Sequence, residues 1–222
     1  VDRRGRRRPR GTGHRRLTPY RPLTVTVLIS GQGTNLQALI DEQHSDALPI
    51  DIRAAISDRS DAPGLERARR AGIEARYLNP AGFADTAAFD TALAQIVLAY
   101  DPELVILAGF MRILSPGFVE TFAGRMLNIH PSLLPRFRGL DTHRRVLEAG
   151  DREHGATVHF VTKELDSGPC VIQYRIPVRA DDDSASLGAR VARGEHIILP
   201  RAVGWIAERR LRLADGAVML DG

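Results

Sequence analysis

Apolar residues fall along the chain in two alternating rhythms. Short β-branched runs such as Leu23-Thr24-Val25-Thr26-Val27-Leu28-Ile29 and Leu104-Val105-Ile106-Leu107-Ala108 read as strands, the second so unbroken that it suits a central parallel strand covered on both faces. Between them the period becomes helical. Leu36, Leu39 and Ile40 follow the first run, and Phe89, Leu93, Ile96 and Val97 share one face of a helix over 86–100. Ile50 to Ser57 predicts a second strand, 61–71 a helix that accepts Pro63 near its start and stops at Gly72, and 75–78 a short strand. Beyond these, 116–122 predicts a short helix, Met126 to His130 a strand, 142–149 a helix, 155–162 and 171–178 strands, and 184–208 a long last helix. Such alternation predicts an α/β fold, a doubly wound, mostly parallel sheet flanked by helices. One domain over residues 23–222 is expected, and no repeat interrupts it.

Composition adds little to this picture and charge adds more. With 222 residues, 43% of them hydrophobic, the chain can bury a full core, and no run approaches the roughly eighteen apolar residues of a membrane span. Cys170 is alone, which excludes a disulfide scaffold and a cysteine-rich zinc site. A cytoplasmic location follows as the expectation. The net charge of +4 is concentrated at one end: residues 1–16 hold eight arginines against Asp2, a local +7, which leaves −3 for the remainder. Residues 1–22 are therefore expected to form a disordered basic tail. The tail carries no apolar stretch of a secretory signal, and its first sixteen residues have neither an aromatic residue for base stacking nor a periodic apolar face for a membrane. Neither a membrane nor a nucleic-acid partner is expected.

Candidate chemistry sits where the strand 126–130 ends, in Asn128-Ile129-His130-Pro131-Ser132-Leu133-Leu134-Pro135. Alternate strand residues face the same way, so Asn128 and His130 project together while Ile129 enters the core, and Pro131 stops the strand. An amide donor beside an imidazole suits acyl chemistry, in which an oxyanion develops and a proton moves. The same pair would also serve as hydrogen-bonded scaffolding. Asp166, in the polar loop after the strand 155–162, is the candidate partner that sets the imidazole's protonation, unless Asp166-Ser167-Gly168 is simply a turn. In an open α/β sheet, ligands bind beyond the carboxyl ends of the strands, so Ser30, Ala108, His130 and Thr162 are expected to meet in one crevice.

Gly31-Gln32-Gly33-Thr34-Asn35 joins the first strand to the first helix. Exposed N–H groups and the helix dipole there favour an anion, with Thr34 and Asn35 adding side-chain donors. The third glycine of a dinucleotide fingerprint is replaced by Leu36, and no Gly-Lys-Ser/Thr follows. A small phosphate cradle or a purely structural turn remains. His143, His154 and His159 lack metal-ligand spacing, and His159 is expected to be a structural residue facing a neighbouring strand; no metal site is predicted.

Four segments in order then carry a family resemblance. Val27 to Gln37, Leu107 to Ser115, Leu127 to Pro135, and Val158 to Val161 with Leu165 to Gly168 closely resemble the phosphoribosylglycinamide formyltransferases, folate-dependent enzymes of purine synthesis. The resemblance extends from about residue 25 to 220. It implies transfer of the formyl group of 10-formyltetrahydrofolate, a co-substrate, to the amine of glycinamide ribonucleotide by a monomer or homodimer, without metal. It implies Asn128, His130 and Asp166 as the catalytic set. Gly33, Thr34, Asn35 and Glu195 are implied as the ribonucleotide site. Met111, Arg112, Ile113 and Leu114, with Asn128 and the segment Thr162, Lys163, Glu164, Leu165 and Asp166, are implied as the folate site. Two positions depart from the pattern, since some relatives carry Arg at Thr86 and a longer polar residue at Ala192.

Three rivals are weighed against it. A methionyl-tRNA formyltransferase shares an Asn-x-His-like motif and a stretch like Ser132 to Arg136, but is expected to have a further tRNA-binding domain and a basic body. A formyltetrahydrofolate deformylase is expected to carry an N-terminal regulatory domain. A non-catalytic nucleic-acid binder would use the arginine tail as its anchor and bind in a salt-dependent way.

Overall fold

The computed structural model describes residues 21–221, so the expected tail lies almost wholly outside the described residues. The chain enters through β1 (Leu23–Ile29), α1 (Thr34–His44), β2 (Ile50–Ser57), α2 (Pro63–Arg70) and β3 (Glu74–Tyr77). It crosses by α3 (Thr86–Leu98) to β4 (Leu104–Leu107), then α4 (Pro116–Thr121) and β5 (Met126–His130). The second half holds α5 (Thr142–Glu148), β6 (Glu153–Phe160), β7 (Cys170–Pro177), the 24-residue α6 (Ser184–Ala207), and a hairpin of β8 (Leu211–Ala214) and β9 (Ala217–Leu220). Seven strands form one sheet in the order β3-β2-β1-β4-β5-β6-β7, parallel through β5 and antiparallel from β5 to β7.

Alternation along each strand divides the core into two layers. Val25, Val27, Ile29, Leu127 and Ile129 pack against α1, α2 and α6, whereas Leu28, Val105, Leu107 and Met126 meet Phe89, Leu93 and Phe118 of α3 and α4. Both faces are covered, which is why the strands read as nearly continuous apolar runs. The chain leaves β1 toward one edge and returns at β4 toward the other. That reversal opens a crevice at the carboxyl ends of the parallel strands.

Two sequence expectations need correction. Thr162 does not join the crevice as a strand end, because β6 runs against β5: His130 pairs with Thr157, and Val161 N–H donates to the Met126 carbonyl at 2.9 Å, at the start of β5. The loop 162–169 instead carries Asp166 to the face on which Asn128 and His130 stand. The second correction is the β8–β9 hairpin, which had no counterpart in the apolar pattern as read. Its signal is Asp215-Gly216 between two short apolar-rich segments, both residues with positive φ (49° and 75°), the conformation a two-residue primed turn demands.

Candidate active site

The two faces of β5 separate scaffold from chemistry. Leu127 and Ile129 enter the first core layer, while Met126, Asn128 and His130 face the other way, where the apolar side chains give out beyond Met126. Past Pro131 the chain is tied down at once. Thr142 Oγ1 donates to the Pro131 carbonyl at 2.7 Å and Ser132 Oγ to the Arg136 carbonyl at 2.7 Å. These bonds bring the Phe137 carbonyl back over the strand end, 2.9 Å from His130 Nε2.

His130 is buried between two acceptors. A carbonyl oxygen only accepts, so Nε2–H donates to Phe137, and Nδ1 faces Asp166 Oδ2 at 3.3 Å. A neutral ring with its proton on Nε2 serves the carbonyl alone, and an imidazolium serves both. Burial holds His130 below the ordinary imidazole range; the Phe137 bond and the Asp166 carboxylate pull upward, and His159 and Arg145 pull down. Nδ1 is thus the nitrogen turned toward the carboxylate, oriented by a bond at the far side of the ring.

Asp166 has the left-handed φ of 48°. Its Oδ2 accepts from the Gly139 N–H at 2.9 Å, and its Oδ1 lies 3.4 Å from Asn128 Nδ2. Burial pushes the carboxyl up, but His159, the Gly139 N–H and His130 outweigh it and hold Asp166 below the usual carboxylate range. Asp166 is an anion at neutral pH.

His159 faces the neighbouring strand as the hydrogen-bonded residue expected, and its partner there is Asn128, which ties it to this group. It stands opposite Asn128 in the β5–β6 register, and its Nδ1–H donates to its neighbour's Phe160 carbonyl at 2.9 Å. In the neutral ring that leaves Nε2 as an acceptor, to which Asn128 Nδ2 donates at 3.1 Å, and the same nitrogen lies 3.7 Å from Asp166 Oδ1. The amide of Asn128 is thereby oriented with its nitrogen toward Asp166. Recognising this from sequence needed the antiparallel register of β5 with β6.

The glycine turn lies at the amino end of α1. Gly33 adopts φ 68°, and a Cβ there would stand 2.5 Å from the Gly64 Cα, so α2 docks directly on the turn. Thr34, Asn35 and Leu36 begin α1, and the first helical bond runs from Gln37 N–H to the Gly33 carbonyl. Asn35 Nδ2 donates to Glu195 Oε2 of α6 at 2.8 Å. Burial pushes the Glu195 carboxyl up, against the pull of that bond. Asn35 Oδ1 is buried without a partner. All four residues of the expected ribonucleotide site therefore lie where α1 meets α2 and α6.

The expected folate residues fall on two segments flanking β5. Met111 N–H donates to Ser30 Oγ at 2.8 Å, and the Arg112 guanidinium stacks over Phe89 at 4.5 Å. Met111 and Ile113 are 66% and 70% exposed, a large apolar surface for two residues beside a polar site, while Leu114 packs on the second core layer together with Val161. Across from them the loop is tied to its surroundings: Lys163 pairs with Glu120, Glu164 with Arg138 at 3.0 Å, and Thr162 Oγ1 donates to the Glu164 carbonyl at 3.2 Å. Leu165 lies half-exposed against Gly139. Thr86 starts α3 and is exposed, and Ala192 is half-buried on α6.

Residues 23–203 match the family described as formyl transferase. The chain belongs to the formyl transferase family. Within it, the chain is similar to the phosphoribosylglycinamide formyltransferase of Escherichia coli (strain K12), 50% identical over 200 residues that cover 90% of this chain and 94% of that one. The enzyme of the same name from Haemophilus influenzae is 45% identical, covering 89% of this chain and 93% of its own length. Among solved structures, glycinamide ribonucleotide transformylase 1 from Symbiobacterium toebii superposes with a TM-score of 0.87 at 45% identity, covering 90% of this chain and 94% of that one. The mostly parallel seven-stranded sheet is thus a formyl transferase sheet. Among the described residues of this formyl transferase, no helix is long and apolar enough to cross a membrane, and no cluster of three or more His, Cys, Asp or Glu side chains is arranged to hold a metal.

Proposed function

We propose that this formyl transferase passes the formyl group of 10-formyltetrahydrofolate to the amine of glycinamide ribonucleotide, giving formylglycinamide ribonucleotide and tetrahydrofolate in de novo purine biosynthesis. The observation that carries the reading is the convergence of Asn128, His130 and Asp166 at the end of β5, with the His130 ring held by Phe137 so that Nδ1 faces the carboxylate. The named relatives, similar over nearly their whole length, support the same substrates.

The amine lone pair attacks the formyl carbon, and the carbonyl π electrons move onto oxygen. Asn128 Nδ2–H and protonated His130 Nδ1–H stabilise that oxyanion. Asn128 exchanges its long 3.4 Å contact with Asp166 for the oxyanion while keeping its bond to His159. The attacking nitrogen then loses a proton, the folate nitrogen gains one with Asp166 assisting, and the bond between carbon and the folate nitrogen breaks. No covalent enzyme intermediate is required, because the amine is itself a competent nucleophile.

Gly33, Thr34, Asn35 and Glu195 bind the ribonucleotide in this reading. Residues 111–114, Asn128 and the 162–166 loop bind the folate, and the exposed Met111 and Ile113 supply the apolar wall. Freely diffusing substrates fit a cytoplasmic enzyme, acting as a monomer or homodimer. The test is to mix protein, 10-formyltetrahydrofolate and glycinamide ribonucleotide and follow tetrahydrofolate release. Release that depends on the ribonucleotide supports the proposal. Equal release without it would mean hydrolysis of the folate and would refute transfer to this amine.

A further inference from the structure

Asp90 lies on the buried face of α3 beside Phe89, where an apolar residue would be expected. It is 1% exposed, and among the described residues no cation stands within ion-pair distance of it. A buried carboxylate without a counter-charge is costly unless hydrogen bonds hold it. One bond is found here: a single oxygen of Asp90 accepts from Ser115 N–H, and the other oxygen is buried with no partner. Ser115 is the N-cap of α4 and directly follows the segment 111–114.

The other end of that segment is held in a similar manner. Ser30 Oγ–H donates to Asp58 Oδ1 at 2.6 Å, which commits its only proton and leaves the oxygen to accept from Met111 N–H at 2.8 Å. Ser30 N–H also donates to the Gly109 carbonyl at 3.0 Å. Between the two anchored N–H groups, Arg112 and Leu114 turn inward onto Phe89 and the second core layer, while Met111 and Ile113 face out. The backbone in between is left open. Among the described residues, no group bonds to the N–H or the carbonyl of Arg112, Ile113 or Leu114.

We infer that Asp90 and Ser30 are positioning residues for the folate, fixing the segment 111–115 from its two ends so that the open backbone groups between them meet the ligand in a set geometry. The inference rests on the proposed folate reading and deepens it by naming residues that act through the segment. Holding a binding edge in place before the ligand arrives lowers the ordering cost of binding. A role for Asp90 confined to the start of α4 would stabilise the fold and leave folate affinity untouched.

Binding of tetrahydrofolate, measured by calorimetry, reads this positioning without turnover. Asp90→Ala leaves Ser115 N–H unpaired and is expected to weaken binding about tenfold, the scale of one hydrogen bond to a charged group. Asp90→Asn keeps an acceptor of the same shape and is expected to retain most of the affinity. In turnover by Asp90→Ala, the KM for 10-formyltetrahydrofolate is expected to rise with the ribonucleotide KM little changed. Ser30→Ala removes the opposite anchor and is expected to weaken tetrahydrofolate to a similar degree, which decides the matter should Asp90→Ala fail to fold. Unchanged tetrahydrofolate binding in either folded alanine variant, or a loss in Asp90→Asn equal to that in Asp90→Ala, would overturn the inference even in an active formyltransferase. So would a lower denaturant midpoint in Asp90→Ala with folate affinity intact. Asp90-dependent binding of tetrahydrofolate by a protein that transfers no formyl group to the ribonucleotide would uphold the inference and remove the functional reading.

Discussion

At the scale of single residues, the protonation of His130 is the quantity on which the proposed chemistry turns. Burial disfavours the imidazolium, while Asp166 at 3.3 Å favours it. Replacing Asp166 by Asn removes the upward pull and leaves burial unopposed on that side, so the His130 titration followed by NMR is expected to move to lower pH. An unmoved titration would mean that Asp166 is not the electrostatic partner of the ring. Asn128 depends in turn on His159, whose Nδ1–H is committed to a backbone carbonyl and whose Nε2 therefore accepts from the amide. Removing an oxyanion donor costs on the order of 10² to 10³ in rate. Asn128→Ala is expected to lose that much kcat with an unchanged circular dichroism spectrum. Residue types and spacing made Asn128 and His130 legible in the sequence. Asp166 was legible as a candidate, and its role came from family likeness. His159 was legible as a hydrogen-bonded residue facing a neighbouring strand, but its pairing with Asn128 was not, because that depends on which residue faces it across an antiparallel ladder.

At the scale of elements, close approach explains features that periodicity does not. A Cβ on Gly194 would fall 1.9 Å from the Tyr174 ring, so α6 lies directly on β7 at the residue before Glu195. Gly194→Ala is expected to destabilise the fold by about 1–3 kcal/mol, the usual cost of overpacking, and to raise the KM for the ribonucleotide by displacing Glu195. Denaturant titration with parallel kinetics checks both. Between α5 and β6, His143 Nδ1 and His154 Nε2 lie 2.9 Å apart, a bond that needs one donor and one acceptor. Burial and the neighbouring His143 push His154 down to about 4 from 6.5. Because the folded value lies below the unfolded one, the stability from this group is complete above about pH 6.5 and is lost as pH falls toward about 4. The denaturant midpoint is expected to drop over that interval in the native chain and to drop less in His154→Gln. The alternation of periods identified nearly every element, since strands covered on both faces and amphipathic helices leave distinct patterns. The direction of β6 escaped it, because an apolar run has no sense of parallel or antiparallel.

At the scale of the whole molecule, the separation of charge matters more than its sum. Residues 1–16 carry +7, and the remainder, which includes the match to the formyl transferase family over 23–203, is net acidic. The site is assembled within that remainder, from β1, β5, β6 and the helices α1, α2 and α6. A chain starting at Leu23 is accordingly expected to keep full activity, and a large loss in the steady-state assay would give the basic segment a part in catalysis. Strand order converts a linear sequence into this site: reversal between β1 and β4 opens the crevice, and the antiparallel return of β6 brings His159 to Asn128 and sends the following loop back with Asp166. Topology of this kind was only partly readable beforehand, because doubly wound order follows from general rules whereas a change of strand direction depends on the packing of the particular chain.

The most direct test of the central claim is a single-turnover measurement of formyl transfer from 10-formyltetrahydrofolate to glycinamide ribonucleotide by the native chain and by His130→Ala, with folding of both verified. The account predicts transfer by the native chain and a loss of about a hundredfold or more in the variant. Transfer at the native rate by His130→Ala would contradict it.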